Sequence, residues 1–291
     1  VNVEIGELSA SSLNGGSFGF RNKLINGSFD IWQRGSNFSV AGYTADRWRG
    51  DADIAHTRVF GPDGLTYGMS LSAGTASIQQ CIELRLAGRA GEFYTGTTWT
   101  LSWYSTTNTI TPSVMFRDSS ASTSGDVSIT VGSVSAVETV GSWTRYKAVV
   151  TIDQSPEITN ECLSVILITS GATSIAGVQF EKGGLTAFEQ RPIGTELTLC
   201  QRYFYKQYAD ATYASVLTNG IIWNPTTFLG VLRFPVTMRT DPTGVIGEAT
   251  GIGVYAGGTI FSVSGGFIQT ASSDGCESAL NLLGTASPGD G

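Results

Sequence analysis

The sequence predicts an all-β fold, in which a jelly-roll sandwich is followed by a short helix and a small C-terminal β domain. Apolar and polar residues alternate with period two in several short segments, which is typical of half-buried strands. Segments rich in Gly, Ser and Asn separate these strands, and glycine alone provides 37 of the 291 residues. Only one stretch has helical periodicity. Many short strands between turns favour a sandwich or a jelly roll.

The strand signal is clearest before residue 170. Several segments alternate apolar and polar positions, and one is apolar on both faces, as expected for a central strand. The predicted strands are residues 77–85, 98–105, 127–132 and 165–168. Trp99 and Trp103 share one strand face with Leu101, so we expect them in the core. Trp32, Trp48 and Trp143 are also interpreted as structural.

The one amphipathic segment runs from about residue 194 to residue 206. Its apolar residues recur at helical spacing and form one face: Ile193, Leu197, Cys200 and Phe204. Thr195 follows Arg191-Pro192 and is the candidate N-cap. We expect this helix to connect two β regions.

Domain boundaries follow from these elements. We predict an N-terminal segment of residues 1–20, a jelly roll of residues 21–198, and a C-terminal part of residues 199–291 that holds the helix and a β domain. Predicted strands in the C-terminal part are residues 232–238, 260–266 and 267–271. No Lys or Arg follows Arg239. Such a small, weakly charged domain gains stability by burying surface in an oligomer.

Charge and composition exclude several classes of function. The formal net charge is −7 and the pI is about 4.8, whereas binding to nucleic-acid phosphates needs a basic surface. No run of about 18 apolar residues is present, so we expect no membrane insertion. No signal peptide is visible. A single histidine, His56, leaves little room for a histidine triad or a multi-histidine metal site.

The cysteines form no CxxC motif, so they predict neither a zinc site nor a redox pair. They are Cys81, Cys162, Cys200 and Cys276. We interpret them as buried free thiols. The alternative, a disulfide between Cys81 and Cys162, stays open and requires that their strands be neighbours.

Acidic residues give two weak hypotheses. Asp46, Asp51 and Asp53 alternate with arginines, which is typical of a solvated, ion-paired loop and only secondarily of an acid/base pair. Loop carboxylates are also ligands that Ca²⁺ prefers, and Asp30, Asp46 and Asp51 are the candidates. No EF-hand spacing is present. Apart from this candidate calcium site, we expect no cofactor.

Aromatic residues provide the best signal for a ligand. Sugars bind where aromatic rings face their C–H surfaces and polar groups contact their hydroxyls. Trp223 lies in a loop-like stretch, Asn219 to Pro225, of the C-terminal part. Together with Tyr208, Tyr213 and Tyr255 it is the predicted ligand-binding set.

A succession of short motifs resembles the tail fibre proteins of tailed bacteriophages. The motifs cover roughly residues 20–205: NKLINGSFDIWQRG at 22–35, YTADRW at 43–48, WTLSW at 99–103, GSWTRY at 141–146, GVQFEKG at 177–183, FEQRP at 188–192 and TELTLCQRYF at 195–204. The resemblance implies a jelly roll similar to carbohydrate-binding modules, carried in a trimeric virion fibre. It implies no catalytic residues, and a variable C-terminal part fits a host-determining tip.

The resulting expectation is a non-enzymatic virion fibre, on the tail or the head, assembled in the bacterial cytoplasm. Residues 1–20 would attach it to other virion proteins, and its β domains would bind a host surface glycan. We expect a homo-oligomer, a trimer by resemblance. A capsid or tail decoration protein without receptor binding is the alternative. A polysaccharide depolymerase is the third hypothesis and needs two carboxylates about 5–10 Å apart.

Overall fold

The structure, a computed structural model, describes residues 12–13, 16–17, 20–72, 74–84, 92–119, 125–157, 159–206, 218–242, 245–246, 253–256 and 259–283. At residues 12–13 and 16–17 and at several strand positions after 244, only the backbone is described. The chain divides into two compact units, residues 1–197 and 198–291. Most of the predicted attachment segment, residues 1–20, lies outside the described residues.

Strands account for nearly all the regular structure of the first unit. They are β1 (Ser12–Leu13), β2 (Gly16–Ser17), β3 (Asn37–Phe38), β4 (Gly42–Tyr43), β5 (Arg49–Gly50), β6 (His56–Phe60), β7 (Tyr67–Leu71), β8 (Ala76–Glu83), β9 (Thr98–Ser105), β10 (Ile110–Arg117), β11 (Val127–Val131), β12 (Ser135–Val140), β13 (Trp143–Thr151), β14 (Cys162–Thr169) and β15 (Thr173–Lys182). The helix α1 spans Ile193–Gln201 and crosses the boundary between the units.

The strands form two antiparallel layers. One layer has the order β3-β6-β7-β15-β9-β13, with β12 also paired to β13, and the other has the order β10-β14-β8-β5-β4. The layers meet at β11, which pairs with β13 over two residues and with β10 over three. The predicted all-β jelly-roll class is confirmed, including the single short helix and the small C-terminal sheet.

The core of the first unit lies between these layers and explains why β9 forms where the sequence predicts it. Trp99, Leu101 and Trp103 point inward and are fully buried, because period-two alternation places all three on one face. Phe93 and Phe180 pack against the Trp99 ring, at centroid distances of 4.5 and 5.1 Å. These rings share one cluster with residues of the second layer, such as Val165, Leu163 and Phe116.

The neighbouring strands β8 and β14 carry a disulfide between Cys81 and Cys162, whose Cα atoms lie 5.4 Å apart. The interpretation of all four cysteines as free thiols is therefore wrong for this pair. The condition that their strands be neighbours is met, since Cys81 stands opposite Ser164 in the ladder. Cys200 and Cys276 are buried thiols outside the disulfide, as expected. Burial raises the pKa of the Cys276 thiol.

The helix is shorter than predicted. It ends at Gln201, because the amides of Tyr203 and Phe204 both donate to the Cys200 carbonyl and close the last turn. Thr195 is not the N-cap. The Pro192 carbonyl accepts from the amides of Thr195 and Glu196 and begins the helix one turn earlier. Among the described residues, no helix is long and apolar enough to span a membrane.

The second unit is a sheet with the order β16-β17-β21-β20-β18, and β19 also pairs with β20. Its strands are β16 (Gly220–Asn224), β17 (Thr227–Arg233), β18 (Val245–Ile246), β19 (Gly253–Ala256), β20 (Thr259–Ser272) and β21 (Gly275–Leu283). Its described core consists of Ile222, Phe228, Val254, Val263, Leu280 and Leu282.

Two strand predictions for this unit are wrong. The predicted strand at residues 232–238 ends at Arg233, because Pro235 has no amide hydrogen to donate to a ladder. The two short strands predicted at residues 260–266 and 267–271 form one strand, β20. Its pairing with β21 shifts register after Val263 and after Ile268, and the strand continues through both irregularities.

Candidate functional site

A polar network joins the start of the first unit to its end, and we call it the clasp. The clasp consists of Asn22, Asn26, Glu189, Arg191 and Glu196. The Arg191 guanidinium donates to the Leu24 carbonyl at 3.1 Å, to the Asn22 carbonyl, and to the Glu196 carboxylate at 3.1 Å. The Asn26 amide donates to the same carboxylate. Both side chains of the ion pair are only 7% exposed, so each charge depends on the other.

Asn22 fixes this network to strand β15. Its side-chain amide donates to the Val178 carbonyl at 3.0 Å, and its side-chain oxygen accepts from the Phe180 amide at 3.0 Å. Its own amide donates to Glu189 at 2.8 Å. A Cβ at Gly27 would fall 2.2 Å from the Val178 carbonyl, so only glycine fits there.

The clasp shows what the motifs at residues 22–35, 177–183 and 188–196 do. Gln179 accepts from the Glu189 amide at 2.7 Å, and Glu181 accepts from the Thr186 hydroxyl at 2.6 Å. Side chains from these motifs therefore connect residues 22–26 by hydrogen bonds to strand β15, to Glu189 and to the start of α1.

The three candidate calcium ligands do not come together. Asp46 accepts from the Gln33 amide at 3.1 Å and lies 3.5 Å from Arg34, and Asp51 accepts from the Ser77 amide and hydroxyl at 2.6 and 2.5 Å. Burial raises the pKa of Asp46, and the contacts with Gln33 and Arg34 oppose that shift. Within the described part of the chain, no three His, Cys, Asp or Glu side chains form a metal-binding group.

Asp30 instead lines an open cleft of about 700 Å³ in the first unit, which we call the hairpin cleft. Its lining residues are Asp30, Thr66, Tyr67, Gln190, Arg191, Pro192 and Ile193. Asp30 Oδ2 accepts from the Ser28 hydroxyl at 2.7 Å, whereas Oδ1 is buried and has no hydrogen-bond partner. Burial raises the pKa of this carboxyl, and the Ser28 contact opposes the shift.

One aromatic ring, that of Tyr67, lines this cleft. Phe60 and Tyr67 are cross-strand partners in the β6–β7 hairpin, and their rings are stacked with centroids 6.2 Å apart. Phe60 is 82% exposed, and the Arg58 guanidinium lies 4.6 Å from the Tyr67 centroid. Neither Phe60 nor Arg58 is a lining residue of the cleft.

In the second unit, Trp223 lies on strand β16 and is 64% exposed. The prediction of a loop-like stretch at residues 219–225 is wrong, because residues 220–224 pair with β17. A ligand-binding role of Trp223 stays a prediction. Ile221 and Val231 are also more than half exposed, and we call these three side chains the Trp223 face. Ile222 and Phe228 point to the opposite side and are buried.

The other members of the predicted set are not placed with Trp223. Tyr208 and Tyr213 lie outside the described residues. Tyr255 belongs to β19, where only its backbone is described. The proximity of the four aromatic side chains therefore stays a prediction.

The hairpin cleft escaped the sequence analysis although a signal was present. Phe60 and Tyr67 are connected by residues 61–66, which begin with Gly61-Pro62-Asp63-Gly64, a composition typical of a turn. Gly64 has a positive φ of 89°, which favours glycine. A turn of this kind pairs the two flanking aromatic residues across a hairpin.

Comparisons with known proteins give distant similarities. No family model and no curated protein matches the chain. A tailspike 4 domain of bacteriophage CBA120 described as enzymatically active is 14% identical, covering 56% of this chain and 21% of that chain at a TM-score of 0.33. A structure of the CBM22-1 and GH10 modules of Clostridium thermocellum xylanase 10B is 19% identical. The match covers 54% of this chain and 29% of that chain, with a TM-score of 0.31. The CBM22-1 xylan-binding domain of Paenibacillus barcinonensis Xyn10C is 11% identical. The match covers 52% of this chain and 94% of that chain, with a TM-score of 0.31. TM-scores this low carry no argument about function.

Proposed function

We propose that this chain is a non-enzymatic fibre protein of a bacteriophage virion that attaches to a glycan of the host cell surface. The observation that carries the proposal is Trp223, whose indole ring is exposed on a strand of a packed sheet. Exposing a tryptophan costs solvation free energy, and stacking on the C–H face of a sugar recovers it. The phage setting comes from the motif resemblance along residues 20–205.

Several features of the chain suit this function. The negative net charge disfavours nucleic acid, and only four lysines are present, at positions 23, 147, 182 and 206. We propose a homo-oligomer, a trimer by resemblance, in which repeated weak sites raise avidity through effective concentration. Residues 1–20 would bind other virion proteins, and assembly would take place in the host cytoplasm.

A second candidate function has its own supporting observation. Ile221, two residues before Trp223 on β16, and Val231 on the neighbouring strand β17 are also exposed, and aliphatic side chains suit a protein surface better than a sugar. On this alternative the chain is a capsid or tail decoration protein, and the Trp223 face packs against a protein partner.

One pair of variants separates the two functions. Trp223→Ala removes the ring, and Val231→Thr keeps the shape of another side chain of the Trp223 face but makes it polar. The full-length chain and both variants are tested on an array of bacterial surface polysaccharides, with their molar mass measured by light scattering. We expect Trp223→Ala to lose at least about tenfold in glycan binding, as for a central tryptophan contact, and Val231→Thr to lose less than about threefold.

Other outcomes would contradict the proposal. No glycan binding by the wild-type chain would overturn it, and a fall in molar mass with both variants would then favour the decoration protein. Release of new reducing ends from a bound polysaccharide would contradict the non-enzymatic part and support the depolymerase hypothesis.

A further inference from the structure

We propose that the Cys81–Cys162 disulfide is a reversible redox lock of the first unit, and that small thiols open it by attacking Cys81. The reacting class is a low-molecular-weight thiol such as glutathione, and the disulfide form of that thiol closes the lock again. This chemistry depends only on the cysteine pair. Its timing rests on the proposed function, because assembly in a reducing cytoplasm would leave the pair open and release from the cell would close it.

The disulfide lies on the face of its layer that points away from the core. Ile78 belongs to the core cluster and Ile82 packs against it, so period two along β8 places Cys81 on the other face. On β14 the core residue Leu163 follows Cys162 directly, which places Cys162 on the same outer face. Breaking the S–S bond therefore removes no contact of the core, and we expect the reduced chain to keep its fold.

The two cysteines differ in exposure, and this difference selects the sulfur that a thiol attacks. Cys81 is half-buried, whereas Cys162 is only 4% exposed. A thiolate must reach one sulfur of a disulfide in order to exchange with it, so access decides where it attacks. The attack therefore falls on Cys81, and Cys162 is the leaving group.

The exchange balances with the small thiol as its only co-reactant. A thiolate RS⁻ forms a bond to the Cys81 sulfur, the bond between Cys81 and Cys162 breaks, and Cys162 leaves as a thiolate that takes a proton from water. A second RS⁻ attacks the RS sulfur of this mixed disulfide and releases RSSR, and the Cys81 thiolate then takes a proton. The two thiolates supply the two electrons that the protein gains. The reverse sequence, starting from RSSR, closes the lock.

Closing the lock constrains a large part of the unfolded chain. The two cysteines are separated by 81 positions, and strands β9 to β13 lie between them and contribute to both layers of the sandwich. A cross-link lowers the conformational entropy of the unfolded chain, and this effect grows with the length of the loop that it closes. In the folded chain, a ladder of eight residue pairs already joins β8 to β14. The lock therefore acts on resistance to unfolding and leaves the strand pairing as it is.

The first experiment measures which cysteine reacts. In the full chain, Cys162→Ser leaves the Cys81 thiol and Cys81→Ser leaves the Cys162 thiol, and both variants carry the same two buried thiols outside the pair. Glutathione disulfide is added to the folded variants, and the mixed disulfide is located and timed by peptide mass spectrometry. We expect Cys81 to be modified at least about tenfold faster than Cys162, because its sulfur is the more accessible one.

The second experiment measures the effect of the lock. The wild-type chain is prepared with dithiothreitol or with glutathione disulfide, and its thiols are counted after denaturation. Of the four cysteines, we expect four thiols in the reduced chain and two in the oxidised chain. Both forms should have the same circular dichroism spectrum, and oxidation should raise the urea midpoint by at least about 1 M. The double variant with Cys81→Ser and Cys162→Ser should lose this shift, and the control Cys276→Ser should keep it.

Four results would each overturn the inference: modification of Cys162 as fast as that of Cys81, four thiols after oxidation, equal urea midpoints, or a reduced chain without the β-sheet spectrum. Both forms are also applied to the polysaccharide array of the proposed function. Loss of glycan binding in both forms, with the midpoint shift intact, would overturn the proposed function and leave the lock. Glycan binding without a midpoint shift would leave the proposed function and overturn the lock.

Discussion

The two units of the chain differ in the size of the core that their described residues form. In the first unit, residues from both layers pack together in one large core, and the clasp adds a network of paired polar groups. In the second unit, the described core has six residues, while Ile221, Trp223 and Val231 are exposed. The first unit also exposes apolar side chains, Phe60 among them, but a much larger core lies beneath them.

The largest expected effect contrasts two tryptophans. Trp99→Ala should lower the free energy of unfolding by about 3–5 kcal/mol, because it opens a cavity among Phe93, Phe180 and Leu101. Trp223→Ala, the control in the other unit, should lower it by less than about 1 kcal/mol. Urea denaturation followed by circular dichroism measures both. Similar decreases in the free energy of unfolding for the two variants would contradict the difference between the units.

The next effect concerns the clasp. Arg191→Met keeps much of the side-chain volume but leaves Glu189 and Glu196 buried without their cation, so unfolding should become easier by about 3 kcal/mol. Arg58→Met, on an exposed arginine that contacts Tyr67, should cost less than about 1 kcal/mol. A loss of under 1 kcal/mol at Arg191 would show that the clasp is not a main source of stability.

The pH dependence of the free energy of unfolding should differ between the two units, because the only histidine of the sequence, His56, lies in the first unit. Burial lowers its pKa, and the contacts with Ile54 and Asp51 oppose that shift only in part. The part of the free energy of unfolding that requires a neutral His56 imidazole is fully present above about pH 6.5. It is lost as the pH falls below that value. The slope for one group is at most about 1.4 kcal/mol per pH unit. His56→Gln should abolish this slope in urea titrations between pH 8 and pH 5, and an unchanged slope would assign it to other groups.

The smallest effect on stability is expected at the Trp223 face. Val231→Thr should change the free energy of unfolding by less than about 0.5 kcal/mol, since the side chain is 62% exposed. Sedimentation at several concentrations tests whether the face also contributes to self-association. A loss above 2 kcal/mol in the isolated chain would mean that this side chain is already packed.

Sequence reasoning succeeded for the fold where the signal is local. The ends of β9 were predicted at Thr98 and Ser105 because two tryptophans and a leucine alternate with small polar residues. It failed for β20, since Gly265 and Gly266 indicate a turn when read alone. The strand continues through them because β21 supplies the ladder partners, and no local pattern contains that pairing.

For the candidate sites, only the exposed tryptophan was predictable. Trp223 sits among residues that indicate a surface, and this information is local. The clasp joins Asn22 to Glu189 and Arg191 across more than 160 residues, so only the folded chain brings them together. The hairpin cleft likewise needs Asp30 beside Tyr67 and Gln190, which come from three separate segments. Residue type made Asp30 one of three candidate calcium ligands, whereas in the structure it lines a cleft together with Tyr67 and Gln190.

The clasp also has a mechanical consequence. It ties residue 22 to the start of α1, so the points where the chain enters and leaves the sandwich are held side by side. A tensile load applied between the N-terminal segment and the helix would pass through these few bonds before it reached any strand of the two layers. The strands of the two layers would bear that load only after the clasp had ruptured.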